Sequence, residues 1–120
     1  MKVKKDRPYK AHELGLDDPE GLCWGVFVGA CVDERTAWTV WEGAAAHAHN
    51  TEKQSSHWFG WICVLDPKTV LTRSGYPSMT LLHEFAHILV PNAGHTVRWK
   101  QEVTRLGAGS EILRCKLKPL

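Results

Sequence analysis

The chain has 120 residues, with 15 lysines and arginines, 13 aspartates and glutamates, and a formal net charge of +2. Apolar residues make up 43% of the chain and charged residues 23%, which is typical of one globular domain and excludes a disordered chain. No apolar run approaches the length of a transmembrane helix, and no apolar segment follows the basic N-terminal residues. We therefore expect no membrane partner, no signal peptide and a cytoplasmic, intracellular location.

The first part of the chain predicts an arm followed by a β-hairpin. Residues 1–21 are polar and end in turn residues, so we expect a loosely held N-terminal arm there. Residues 22–32 are rich in β-branched and aromatic side chains and predict a strand. Residues 37–42 alternate in polarity and predict the second strand of the hairpin. We expect residues 22–120 to form a single domain.

The middle of the chain predicts a loop and a third strand. Residues 43–57 show neither the helix period nor the strand period, so we expect a loop. Residues 58–65 form a short apolar run that stops before a proline, which predicts a strand. The segment Trp58-Phe59-Gly60-Trp61 fits an edge strand that pairs with an extended substrate, and it fits a core strand equally well.

Two helices are expected in the last third of the chain. Residues 78–90 have the clearest apolar helix pattern, and Pro91 ends it. Residues 95–106 predict a second helix that glycines close, and residues 110–118 predict a final strand or an extended tail. The elements together predict an α+β fold, with a small antiparallel sheet of about three strands packed on the two helices.

The four cysteines predict no cross-link and no metal site. None of them has the C-x-x-C spacing of zinc-binding cysteines, and three lie inside apolar runs. We therefore expect reduced, buried thiols at Cys23, Cys31, Cys63 and Cys115.

The segment His83-Glu84-Phe85-Ala86-His87 has the pattern H-E-x-x-H inside the predicted helix 78–90. Positions four apart lie on one face of a helix, so both imidazoles can bind one metal ion. Glu84 lies beside them, where its carboxylate can take a proton from a zinc-bound water whose pKa has fallen to about 7. The pattern predicts the Zn²⁺ site of a hydrolase, with two structural histidines as the alternative.

A catalytic zinc ion usually has three protein ligands, so one ligand remains to be found. The downstream candidates are His95, Glu102 and Glu111. The turn at residues 91–94 can reverse the chain and place His95 at the start of the second helix, facing the metal. Glu102 would face it only with a different crossing angle of the helices. We therefore predict His95 as the third ligand.

The same segments resemble a known family. The pattern Thr80-Leu81-Leu82-His83-Glu84-x-x-His87, then His95-x-x-x-Trp99-Lys100 and Leu106-Gly107, is similar to the SprT/Spartan-type (SprT-like) zinc metalloprotease domain. The resemblance covers about residues 58–108. It implies a minimal zincin-like fold of the gluzincin type, zinc on His83, His87 and His95, and Glu84 as the catalytic residue. Thr96 stands where the family usually has glycine, and the family's action on proteins crosslinked to DNA is not carried over.

Other side chains have weaker indications of function. Trp61 and Tyr76 are candidate substrate-binding residues: Tyr76 precedes the active-site helix and can donate a hydrogen bond to a developing oxyanion, with packing as the alternative. His47, His49 and His57 lie in the predicted loop. We expect these imidazoles to be exposed, with one of them reaching over the metal as the alternative.

We expect a zinc metalloendopeptidase that acts on protein substrates as a monomer. One alternative is a zinc-stabilised regulatory or protein/DNA-binding module that cuts little, and another is a non-peptidase hydrolase. Glu84 argues against the regulatory module, because a purely structural zinc site needs no general base. The small net charge does not indicate a DNA partner, although basic residues near both ends leave one open.

Overall fold

A computed structural model describes residues 2–5, 7–29, 46–53, 57–90 and 96–110. Within these ranges the chain has an α+β fold with one four-stranded mixed sheet and two α-helices, of which the first packs on the sheet and the second packs on the first helix. The strands are β1 (Arg7–Tyr9), β2 (Cys23–Val28), β3 (Ala46–Lys53) and β4 (His57–Val64), and the helices are α1 (Met79–Leu89) and α2 (Val97–Arg105). Short 3-10 helices lie at Ala11–Leu14 and Pro67–Thr69.

The strand order of the described sheet is β1-β2-β4-β3. β1 is antiparallel to β2, β3 is antiparallel to β4, and β2 and β4 are parallel. The sheet is therefore mixed and not, as we had predicted, antiparallel throughout. Of the two alternatives for Trp58-Phe59-Gly60-Trp61, the core strand is the one that the described sheet supports, because β4 lies between β2 and β3. The unbroken apolar run of β4 has a physical reason, because parallel strands are commonly buried on both faces of the sheet. Ile62, Cys63 and Val64 are all fully buried.

Strand β3 replaces most of the loop that we predicted at residues 43–57. Its first residues alternate alanine and histidine, and Ala46 and Ala48 pack against the main hydrophobic core. His47 and His49 therefore point to the other face of the sheet, because side chains alternate along a strand. The sequence hid this strand because alanine is weakly apolar and is depleted in strands.

Residues 7–16 belong to the folded core, so the prediction of a loosely held arm was wrong for them. β1 pairs with β2, and four apolar side chains that follow it or end it are buried: Tyr9, Ala11, Leu14 and Leu16. The Tyr9 hydroxyl also accepts a hydrogen bond from the Lys4 amide at 2.8 Å. These apolar residues are few and widely spaced, which made the segment look polar as a whole. The extent of the single domain predicted at residues 22–120 stays a prediction.

Several predicted features lie outside the described residues. They include the hairpin strand at 37–42, nearly all of the tail at 110–118, and the thiols of Cys31 and Cys115. The other two cysteines, Cys23 and Cys63, are buried thiols, as expected.

Helix α1 is fixed to the sheet by one apolar face. Leu81, Phe85 and Ile88 are fully buried in the core that also contains β2 and β4 side chains, and their spacing is that of one helix face. The helix begins where the Ser78 hydroxyl accepts a hydrogen bond from the Leu81 amide at 3.1 Å, an N-cap interaction. This packing sets which way the remaining α1 side chains point.

Helix α2 packs on α1 through a second, smaller apolar cluster. Its members are Ala86 and Val90 with Trp99, Val103 and Ala108. The chain leaves the helix at Gly107, whose φ of +90° is a left-handed conformation that glycine adopts without strain. No helix within the described ranges combines the length and apolar character needed to cross a membrane.

Candidate metal centre

The two imidazoles of the H-E-x-x-H segment lie side by side on α1. The ring centres of His83 and His87 are 5.1 Å apart, and the ring planes are inclined by 59°. Both side chains are half-buried, so the pair can be reached from solvent. The arrangement follows directly from their spacing of four residues on a helix.

Glu84 adds a buried carboxyl group next to the two imidazoles. Its exposed fraction is 7%, and it is the only charged residue in the described ranges that is buried. A carboxylate is costly to remove from water unless a cation or hydrogen bonds compensate for the lost hydration. Its position beside His83 and His87 places a carboxyl group within reach of a metal ion that the two imidazoles could hold.

Trp99 forms a wall behind both imidazoles. Its ring centre lies 4.8 Å from that of His83 and 5.2 Å from that of His87, and the second pair is stacked at 18°. The indole Nε1 donates a hydrogen bond of 3.4 Å to the main-chain carbonyl oxygen of His83. Because Trp99 is fully buried, it limits the orientations that both imidazoles can adopt.

The three side chains could hold a metal ion. One donor atom from each of His83, Glu84 and His87 lies within 4.8 Å of the others. Imidazole nitrogen and carboxylate oxygen are donors that zinc takes in proteins, and a cation here would also compensate for the burial of the carboxylate. The chemistry of this donor group is therefore compatible with a metal ion such as zinc.

The structure separates the candidates for the third ligand. His95, the predicted ligand, and Glu111 lie outside the described residues. Glu102 lies on α2 and is not a member of the donor group around His83. Its carboxylate accepts a hydrogen bond from Nε of Arg105 at 2.8 Å, which gives it another partner. His95 directly precedes Thr96, the N-cap of the helix that carries Trp99.

The two predicted substrate-binding residues lie in different parts of the fold. Trp61 is next to Ile62, which faces the core under α1, so Trp61 points to the opposite face of the sheet. The structure therefore does not bring Trp61 to the His83–His87 pair. Tyr76 lies two residues before the Ser78 cap and is 70% exposed, which argues against the packing alternative. Its hydrogen bond to an oxyanion stays a prediction.

A second group of metal-binding side chains lies on the face of the sheet away from α1. His47 and His49 of β3 and Cys63 of β4 each place one donor atom within 4.8 Å of the others. Both histidines are half-buried rather than exposed, which corrects our expectation of loop histidines. Burial, and secondarily His49, lower the pKa of His47 to about 4, so its imidazole is neutral at pH 7. The side chain of His57 lies outside what the structure describes.

Sequence reasoning missed two features of these groups. Trp99 was noted as an apolar residue of the predicted second helix and for its place in the family pattern, and its contact with both imidazoles was not predicted. The second donor group depends on the pairing of β3 with β4, which brings distant segments together. The alternation of histidine at 47 and 49 was the available signal for a shared face.

Comparisons of the chain with protein-family models, curated proteins and solved structures found no match. The case for a function therefore rests on the side chains themselves.

Proposed function

We propose that the chain is a zinc-dependent metallopeptidase of the SprT-like kind, which hydrolyses peptide bonds in protein substrates. One observation carries this proposal: two half-buried imidazoles and a buried carboxyl group form a single donor group on α1. A structural zinc site needs the imidazoles and gains nothing from an unligated carboxylate, whereas a hydrolase needs a base beside the metal.

His83 and His87 would hold the metal, with His95 as the proposed third ligand. Zinc bound there would polarise the scissile carbonyl and make a nearby water molecule more acidic. Trp99 is a positioning residue, since it contacts both imidazole rings and its indole donates to the main chain of α1. The sheet beneath α1 gives the rigid support that such a site requires, and the arrangement is compatible with the proposed minimal zincin-like fold.

Glu84 is the proposed general base. In the proposed reaction the oxygen of water bonds to the carbonyl carbon of the peptide, and the carbon–nitrogen bond then breaks. Glu84 accepts the proton that the water loses and delivers it to the leaving amine, so the carboxylate is regenerated. Its burial keeps bulk water away from the carboxylate, which strengthens its interaction with nearby charge.

The test is Glu84→Gln, compared with wild type and with Glu20→Gln as the matched control. Glutamine has the shape of glutamate and cannot accept the proton, so we expect a loss of about 10²–10⁴ in the rate of peptide hydrolysis. Glu20 is exposed, and its substitution should leave the rate unchanged. The assay follows self-cleavage and cleavage of a denatured protein, at equal zinc content and with and without DNA.

Two outcomes would contradict the proposal. Equal rates for Glu84→Gln and wild type would remove Glu84 as the base. No cleavage by zinc-loaded wild type under any of these conditions would favour the zinc-stabilised regulatory module instead.

A further inference from the structure

The face of the sheet away from α1 carries a compact set of polar and aromatic side chains. Ala46, Ala48, Ile62 and Val64 belong to or pack against the core on the α1 side. The intervening side chains therefore share the other face: His47, His49, Trp61 and Cys63. Nothing in the proposed peptidase reaction uses them.

The pairing of β3 with β4 brings the three donors of this face together. His47 lies directly opposite Cys63, and His49 lies opposite Trp61, so the two imidazoles and the thiol occupy adjacent positions. Side chains directly opposite on antiparallel strands have Cβ atoms about 4.5–5.5 Å apart. The imidazole centres of His47 and His49 are 4.5 Å apart, and their planes are nearly perpendicular.

The distances among the donor atoms suit one small metal ion. All three atoms lie within 4.8 Å of one another. Zinc–nitrogen bonds of about 2.0–2.1 Å and a zinc–sulfur bond of about 2.3 Å put two nitrogens and one sulfur in a tetrahedral site roughly 3.3–3.6 Å apart. Small rotations of the side chains would bring the donor atoms from their present separations to those of a zinc site, because all three side chains project from neighbouring, paired positions.

We propose that His47, His49 and Cys63 form a second zinc site, on the face of the sheet away from α1, which fixes β3 to β4, its neighbour in the described sheet. Two nitrogens and one sulfur are a donor set that zinc favours, and a fourth position stays open for water or another ligand. The site uses no residue of the proposed peptidase centre, so it does not depend on the proposed function.

Two further observations favour a metal site over other uses of these residues. Cys63 is fully buried, which argues against a cysteine nucleophile that must meet a substrate. His49 stacks on Trp61 with ring centres 5.2 Å apart, which holds the imidazole in place before any metal binds. A preorganised ligand loses less conformational entropy on binding.

Cobalt(II) titration of the metal-free, reduced full-length chain tests this proposal. A thiolate ligand gives cobalt a near-ultraviolet sulfur-to-metal charge-transfer band, which a site made only of histidines cannot give. We expect wild type to show the band with about one equivalent of cobalt at this site. Cys63→Ser should abolish the band, and the matched control Cys23→Ser, which replaces the other buried thiol, should keep it.

Further variants keep the test decisive. His49→Ala leaves all cysteines in place and removes one proposed ligand. We expect it to bind cobalt at least tenfold more weakly, as measured by titration of the charge-transfer band. Circular dichroism checks that the variant is folded. The double variant His83→Ala/His87→Ala should keep the band, because it changes no ligand of the second site. This variant therefore tests the second site independently of the proposed peptidase centre.

The proposal is wrong if folded wild type shows no band, or if the band persists in Cys63→Ser. It is also wrong if His49→Ala folds and binds cobalt as tightly as wild type, or if the band disappears with Cys31→Ser or Cys115→Ser and not with Cys63→Ser. Zinc competition against cobalt then shows whether zinc is the preferred ion, and loss of the band on adding zinc is the expected result.

Discussion

Burial controls the chemistry of individual side chains in this chain. It raises the pKa of the Cys23 thiol to about 12, against a smaller opposing effect of the contact with the Gly25 main chain; the nearby Asp18 carboxylate adds a still smaller increase. It lowers the pKa of His47 to about 4. Both groups are therefore neutral at pH 7. Glu84 is the one buried acidic residue in the described ranges. Because it lies beside the two imidazoles, a metal ion bound to them would be close to its carboxylate.

The raised pKa of Cys23 predicts a thiol that does not react in the folded protein. The change from 9.0 to about 12 lowers the fraction of thiolate about 1,000-fold at pH 8, and thiolate is the reactive form. We expect iodoacetamide to leave Cys23 unmodified in the native protein and to modify it rapidly in denaturant. Peptide mapping by mass spectrometry measures this. Equal modification rates in the two states would contradict the burial of Cys23.

The helices were easier to predict than the sheet. The patterns at 78–90 and 95–106 correspond to α1 and α2 within a few residues, because the period of apolar residues and the flanking proline, serine and glycine are local signals. The parallel pairing of β2 with β4, the position of β3 at an edge and the incorporation of β1 depend on contacts between distant segments. No local pattern specifies those contacts.

The candidate site shows the same division. The juxtaposition of His83 and His87 followed from one helix turn, and it was confirmed. The contact of Trp99 with both imidazoles depends on how α2 crosses α1, and the grouping of His47 with Cys63 depends on strand register. Neither could be derived from spacing within one element.

The full burial of Trp99 at the α1–α2 contact predicts a large loss of stability when its side chain is removed. Trp99→Ala should lower the free energy of unfolding by about 3–5 kcal/mol, because it removes a fully buried aromatic side chain. Trp24→Ala is the matched control: Trp24 is half-exposed and stacks on Trp61, so we expect a loss of about 1 kcal/mol. Urea denaturation measures both, and Trp99→Phe serves if the alanine variant does not fold. Similar losses for Trp99 and Trp24 would contradict the described packing.

We predict that His95, which directly precedes the N-cap of α2, is the third ligand of the zinc site. His95→Ala should weaken zinc binding more than about 100-fold, since it removes a proposed ligand. Glu102→Ala should leave the affinity nearly unchanged, because that carboxylate pairs with Arg105 on the same helix. Competition with a chromophoric chelator, read in the Cys63→Ser background, measures the affinity of this site alone. A loss for Glu102→Ala as large as that for His95→Ala would reverse the assignment.

The sheet divides the molecule into two chemically distinct faces. The face under α1 is apolar and supports the H-E-x-x-H segment, while the other face carries the His47, His49 and Cys63 group. A metal bound to either group would stabilise the native chain by mass action, because the donors come together only in the folded state. The two groups share no residue, so removal of one leaves the donors of the other in place.

The zinc content of His83→Ala, measured by elemental analysis beside wild type and the exposed-histidine control His12→Ala, decides whether the H-E-x-x-H segment binds metal. All three proteins are purified identically and dialysed from the same zinc-containing buffer. We predict that His83→Ala retains about one equivalent of zinc less than wild type, while His12→Ala matches wild type. Equal zinc contents in folded His83→Ala and wild type would contradict a metal centre at His83 and His87, and with it the proposed peptidase.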